Sequence, residues 1–296
     1  MRAKLQNRTS KEILEWFKSS TCKEGDTFEL EFSRSDIQRI GYKAFVDLAQ
    51  LFYMKMLTPL TDTDMVILRF IKLRESISFH KADDNGSEKY GVQSEFFCID
   101  KTLQFSFLYH YEHALEFINI KDKKRVLNLG INRGDEFRVI KELVGDEDFK
   151  QIKLLGIDYS NSVIEFAKQD FKEDNVEFTC KDINKLQELS LGRFDLIISI
   201  GTLQSSNINF NATLMSLYQN YLQKGGSIIL GFPNCRWIDS EMIYGASAPN
   251  YNFSEMSLVL KDIHFCKKYL QQKGYRVIVT GKDYLFLTAR KILPTV

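Results

Sequence analysis

From residue 125 onward the chain repeats one pattern: a short apolar run, often β-branched, then a turn, then a stretch with helical apolar spacing. The runs fall at 125–129, 153–157, 176–180, 194–200 and 227–231, and the helical stretches at 134–144, 160–172, 208–222 and 254–273. Apolar runs alternating with helices predict an α/β domain, a mainly parallel sheet joined by right-handed crossovers. A further helix over 103–118 leads into the first strand. The pattern changes at "YRVIVTGKDYLFLTARK" (275–291), where two strand-like runs flank Thr280-Gly281-Lys282-Asp283 and predict an antiparallel hairpin.

Residues 1 to about 100 read differently. "TFELEF" (27–32) alternates apolar and polar residues as a strand does, and "SRSDIQRIGYKAFVDLAQLFYMKM" (33–56) carries helical spacing with Ser33 or Ser35 as a cap. "DMVILRFIKL" (64–73) is a second strand, and "HKADDNGSEKYG" (80–91) is a polar loop. We therefore expect a small N-terminal α+β accessory domain over 1–101 and the α/β domain over 102–296.

Composition narrows the function classes. A formal net charge of +1 removes a bulk cationic argument for nucleic acid. The five cysteines are scattered, without C-x-x-C spacing, so neither a disulfide framework nor a zinc site is suggested. No stretch reaches the roughly 18 apolar residues that span a bilayer, and the N-terminus has no signal-like run. A cytoplasmic protein without membrane or metal is expected.

In an open parallel sheet, ligands bind beyond the carboxyl ends of the strands. The first strand ends in Gly130-Ile131-Asn132-Arg133-Gly134, a tight turn into a helix whose free N–H groups face a ligand. The second ends in Asp158, placed to accept from both ribose hydroxyls or to cap the helix that follows; the third ends in Asp182, placed to read an adenine edge or to cap a short helix near 184. The fourth ends in Gly201 and Thr202, small residues that leave room. A dinucleotide loop, G-x-G-x-x-G, would need glycines at 132 and 135, where this chain has Asn132 and Asp135. NAD is thus the second choice of ligand.

"VLNLGINRG", "LLGIDYSNSVIEFAK", "VEFTCKDI", "FDLIISIGTL" and "LQKGGSIILGF" resemble the successive motifs of class I S-adenosylmethionine-dependent methyltransferases, over residues 103 to 291. The resemblance implies a Rossmann-like, mostly parallel seven-stranded sheet with an antiparallel C-terminal hairpin. It implies S-adenosyl-L-methionine as cofactor, with Gly130 and Gly134 at the methionine end, Asp158 at the ribose, and Asp182 with Ile183 at the adenine. Asn128, Asn132, Tyr159, Ile200 and Gly201 complete the expected cofactor set. Two positions depart from the family: Asn128 stands where an acid is usual, and Asn132 where a glycine is usual.

Methyl transfer from a sulfonium needs an in-line nucleophile, with positioning supplying much of the rate, so no catalytic base is assigned. The stretch 231–255 is long for a simple connection. Its Arg236, Trp237, Glu241, Tyr244 and Tyr251, together with Gln204, are acceptor-site candidates or residues that pin the loop to the core. Cys235 is a small buried hydrophobe or, less in keeping with its surroundings, a covalent nucleophile. His110 and His113 share a helix face without a third metal ligand. A small-molecule acceptor is expected. RNA docked by a basic stripe of Arg34, Arg39 and Lys43 is the alternative, and a non-catalytic Rossmann-type module, supported by Asn128 and Asn132, is the third reading.

Overall fold

A computed structural model describes residues 2–74, 91–94, 97–246 and 254–292. Contacts divide the chain into two compact units, Met1–Ala82 with Cys235–Gly245 and Asp83–Asn234 with Ala246–Val296. The grouping interleaves the contiguous partition expected at 101/102, because one later segment joins the first unit.

The first unit opens with β1 (Arg2–Lys4), α1 (Ser10–Ser19), β2 (Thr27–Ser33), α2 (Arg34–Ile40), α3 (Tyr42–Leu51), β3 (Met54–Thr61) and β4 (Met65–Lys72). The sheet order is β1-β2-β4-β3. Strand β4 buries every second residue, and Leu68 and Phe70 join Phe28, Leu30 and Phe32 in a core closed by Phe17 and Phe45. The helix expected over 33–56 is broken. Gly41 takes φ +84° and separates α2 from α3, and residues from Met54 onward pair with β4 as a strand. Thr9–Glu12 and Ser33–Asp36 form capping boxes at the starts of α1 and α2. Of the expected polar loop, residues 80–90 lie outside the described residues.

The second unit follows the predicted alternation: α4 (Phe105–Phe117), β5 (Arg125–Leu129), α5 (Asp135–Val144), the short α6 (Asp146–Phe149), β6 (Lys153–Asp158), α7 (Asn161–Asp170), β7 (Val176–Cys180), β8 (Phe194–Ile200), α8 (Phe210–Ser216) and β9 (Leu222–Pro233). The helix expected over 208–222 ends in a π-helical turn, Leu217–Tyr221, and β9 is longer than its apolar run. The chain then forms β10 (Cys235–Ile238) and β11 (Glu241–Tyr244), which belong to the first unit, before α9 (Ser257–Gln272), β12 (Tyr275–Gly281) and β13 (Tyr284–Lys291).

The seven strands of this unit run in the order β12-β13-β9-β8-β5-β6-β7. Pairings from β9 to β7 are parallel, and β13 pairs antiparallel with both β9 and β12. Leu127 and Leu129 pack into a core shared with α8 and α9, while Phe107 and Tyr111 of α4 pack on Phe286 of β13. From β5 the chain winds first toward β6 and β7, then returns beside β5 as β8. Open parallel sheets bind ligands at such a reversal, which here falls at the carboxyl ends of β5 and β8.

Candidate functional site

The turn after β5 is built at that reversal. Gly130 N–H donates to the Ile157 carbonyl at 2.8 Å and takes φ +74°. A Cβ at Gly130 would lie 1.9 Å from Thr202 Oγ1, so only a glycine lets the two loops meet this closely. Thr202 therefore closes over the turn, where the sequence suggested open room. Asn132 sits at φ +47°, the left-handed region that Asn tolerates. Gly134, at φ +84°, starts α5, and a Cβ there would lie 2.5 Å from Phe171 Cε2.

Asp158 ties the turn to the next strand. Its Oδ2 accepts from Asn132 N–H and its Oδ1 from Ser160 N–H, both at 3.1 Å. The cap of α7 is Ser160, which accepts from Val163 N–H at 3.4 Å. Asp182 does cap: its Oδ1 accepts from Asn184 N–H at 2.9 Å, at the start of the 3-10 helix Ile183–Glu188. Ile183 and Ile200 are buried, Tyr159 is half exposed, and Gly201 N–H bonds the Gly231 carbonyl at φ +75°.

Several polar groups in this region have no hydrogen-bond partner among the described residues although they are buried. Asn128 is 0 % exposed, and neither its Nδ2 nor its Oδ1 is partnered; Asn132 Oδ1 and Gln204 Oε1 share this state. On β5 its side chain points to the face opposite Leu127 and Leu129. Buried unpaired groups each carry a desolvation penalty of about 1–3 kcal/mol, which polar ligand atoms meeting them would offset.

The start of α5 adds charge. Lys101 Nζ pairs with Glu136 Oε1 at 2.8 Å, with side chains 7 % and 2 % exposed. Burial works against the Lys101 charge, but Glu136 and Asp135 outweigh it and hold its pKa above the ordinary value. Burial, reinforced by Glu136, raises the Asp135 carboxyl above its ordinary range. Sequence reasoning did not find Lys101 or Glu136, since neither differs in pattern from a surface residue.

Arg236, Trp237, Glu241 and Tyr244 belong to the β10–β11 hairpin of the first unit, where the sequence suggested an irregular connection. There Arg236 lies over the Tyr53 ring at 5.3 Å and donates to the Gly245 carbonyl at 3.1 Å, Glu241 pairs with Lys55 at 3.0 Å, and Tyr244 N–H reaches Gln50 Oε1 at 3.3 Å. Trp237 pairs in register with Met242. Tyr251 lies outside the described residues. Cys235 is buried. His110 is half-buried beside Tyr109, and among the described residues no group of three metal-ligating side chains exists. The basic stripe is engaged locally: Arg34 donates to the Asp62 carbonyl, Arg39 pairs with Asp36, and Lys43 with Asp47. Among the described residues no helix is long and apolar enough to cross a membrane.

A family model described as a methyltransferase domain matches residues 120–280. A malonyl-[acyl-carrier protein] O-methyltransferase of Priestia megaterium is 36% identical over 87 residues, 29% of this chain and 30% of that protein. Its namesake from Acetivibrio thermocellus is 25% identical over 196 residues, 62% of this chain and 66% of that protein. The matches thus span less than two thirds of either relative. Among solved structures, the N-methyltransferase NodS from Bradyrhizobium japonicum WM9, in complex with S-adenosyl-L-homocysteine, aligns with a TM-score of 0.42 at 16% identity, over 64% of this chain and 88% of that one.

Proposed function

The chain belongs to the methyltransferase-domain family, and from that premise we propose that it transfers a methyl group from S-adenosyl-L-methionine to a small-molecule acceptor. In this reading residues 1–101 form an accessory domain and 102–296 the catalytic domain. The observation that carries the reading is the turn after β5. There a fully buried Asn128 with both polar atoms unpartnered stands beside a glycine whose missing Cβ leaves just enough space for Thr202. The residues fit the group: orphaned polar atoms sit where a polar ligand end would be met, and Asp158 and Asp182 follow at the next two strand ends.

In this assignment Asn128, Gly130, Asn132 and Gly134 surround the methionine end, Asp158 and Tyr159 the ribose, Asp182 and Ile183 the adenine, and Ile200 with Gly201 the sulfur. Asn128 carries no charge and serves by its amide, donating through Nδ2 and accepting through Oδ1. The cofactor supplies an activated methyl group; the chain supplies orientation and, through buried side chains, exclusion of water. Gln204, with its buried unpartnered Oε1, is the acceptor-side candidate in this unit. The acceptor is taken as small because the net charge is +1 and the three cations of the N-terminal stripe are engaged within their own unit. By their names, the two curated relatives act on malonyl-[acyl-carrier protein], a small acyl group carried on a protein.

Titration calorimetry with S-adenosylhomocysteine and with NAD tests the cofactor. Binding of the former and not the latter is expected, and the reverse would overturn the reading. Conversion of labelled S-adenosylmethionine in fractionated small-molecule and RNA extracts tests the acceptor; turnover confined to the RNA fraction would overturn the small-molecule choice.

A further inference from the structure

The described residues between Gly91 and Lys101 run along the starts of the helices that follow β5 and β6. Val92 N–H donates to Ser162 Oγ of α7 at 3.2 Å. Phe97 meets Phe166 of α7 edge-on at 4.9 Å, and Arg133 of the glycine turn lies over the Phe97 ring at 5.7 Å. Lys101 then closes on Glu136 of α5 and also lies over Phe107 at 5.7 Å. Four contacts thus hold this strap to α7, the turn and α5 in succession.

Beside the strap, the first two residues of α5 are both acids, 1 % and 2 % exposed. Each commits one oxygen to a cation: Asp135 Oδ1 to Arg138 at 2.9 Å and Glu136 Oε1 to Lys101 at 2.8 Å. The second oxygen of each, Asp135 Oδ2 and Glu136 Oε2, is buried without a partner among the described residues, and so is Arg133 Nε. Independently, fully buried Asn128 and nine-tenths buried Asn132 present unpartnered atoms in the same turn. Two anionic acceptors and one cationic donor left open within the four consecutive residues 133–136 match a group that carries an ammonium and a carboxylate on one carbon.

We propose that Asp135 and Glu136 are specificity residues for the charged amino-acid end of the nucleoside ligand, and that Lys101 is the positioning residue that holds Glu136 in place. The inference rests on the cofactor reading above and adds to it. The negative charge offered to the ligand comes from the helix start, while strand position 128 contributes only a neutral amide. Arg133 Nε, buried and without a partner among the described residues, would donate to the carboxylate of the same group. The strap, fastened through Lys101, keeps water from the acids so that an incoming ammonium meets them undiluted by solvent.

The test compares two ligands on the full chain, S-adenosylhomocysteine and 5′-methylthioadenosine, which shares the adenosine and the sulfur and lacks the amino-acid end. Wild type should bind the former at least about tenfold more tightly. Glu136→Gln, Asp135→Asn and Lys101→Met should each weaken S-adenosylhomocysteine by about tenfold while leaving 5′-methylthioadenosine within about twofold. Retained 5′-methylthioadenosine binding also certifies a folded site. If Lys101→Met does not fold, the two isosteric substitutions decide. Equal weakening of both ligands, or no change in either, would overturn the proposal, as would a wild type that does not discriminate. Wild type binding neither ligand would overturn the cofactor reading itself.

Discussion

An alanine at position 130 would place its methyl carbon 1.9 Å from Thr202 Oγ1, 2.6 Å from Cγ2 and 2.7 Å from Cβ. Rotating Thr202 about χ1 moves the first two atoms but not Cβ, so no rotamer relieves the overlap and backbone must shift. The residue would also sit at φ +74°. Left-handed backbone costs a non-glycine residue about 1–2 kcal/mol, and forced overpacking adds about 1–3 kcal/mol. Gly130→Ala should therefore destabilise the protein by about 2–5 kcal/mol, read from the urea midpoint by far-UV circular dichroism. The two parts can be separated. In a Thr202→Gly background the overlap is gone and only the backbone term of about 1–2 kcal/mol should remain. Binding of S-adenosylhomocysteine, lost in the single variant, should partly return in the double variant. A penalty that is the same in both backgrounds to within about 0.5 kcal/mol would refute the claim that contact with Thr202 dictates glycine here.

Asp158→Ala removes the acceptor of both Asn132 and Ser160 N–H, and should cost about 1.5–3 kcal/mol and weaken S-adenosylhomocysteine about tenfold by calorimetry; unchanged affinity would remove Asp158 from the site. Asn132→Ala places an ordinary side chain at φ +47° and should cost about 1 kcal/mol, whereas Asn132→Gly should stay within about 0.5 kcal/mol of wild type; equal effects in thermal melts would contradict the left-handed assignment. The Asp135 carboxyl is raised above its ordinary value of 3.8. The folded state thus binds that proton more tightly than the unfolded state, and the resulting stability is complete below the ordinary value and lost as pH rises through the folded one. Without ligand, Asp135→Asn should melt higher than wild type at pH 7, with the advantage vanishing on acidification below about pH 4; a gain independent of pH would exclude the charge as its cause.

The parallel sheet was legible because strands buried on both faces read as near-continuous apolar runs, as Val126–Leu129 and Leu196–Ile200 do apart from Asn128 and Ser199. The glycine turn was legible because close approach and positive φ restrict residue choice. Gly41 shows the limit. One residue at φ +84° divides what reads as a single amphipathic helix, and Met54–Thr61 becomes a strand through pairing with β4, a non-local contact. The β10–β11 hairpin escaped notice because its four-residue strands are short, and its two-residue turn, Asp239–Ser240 with both φ values positive, lacks the Asn-Gly signal such turns prefer. The Lys101–Glu136 pair joins residues 35 positions apart, and nothing local distinguishes either from a solvated charge.

The interleaving of the two units sets an order of events during synthesis. Leu73 and Tyr53 pack with Ile238 and Ile243, so the N-terminal body gains its last piece only when residues 235–245 have been translated. At about 5–20 residues per second, the intervening 152 residues, 83 to 234, delay completion by roughly 8–30 s. A ribosome-bound nascent chain must hold a half-finished body while the second unit is still emerging, and a gene cut at the apparent domain boundary would deliver the first body without its closing hairpin.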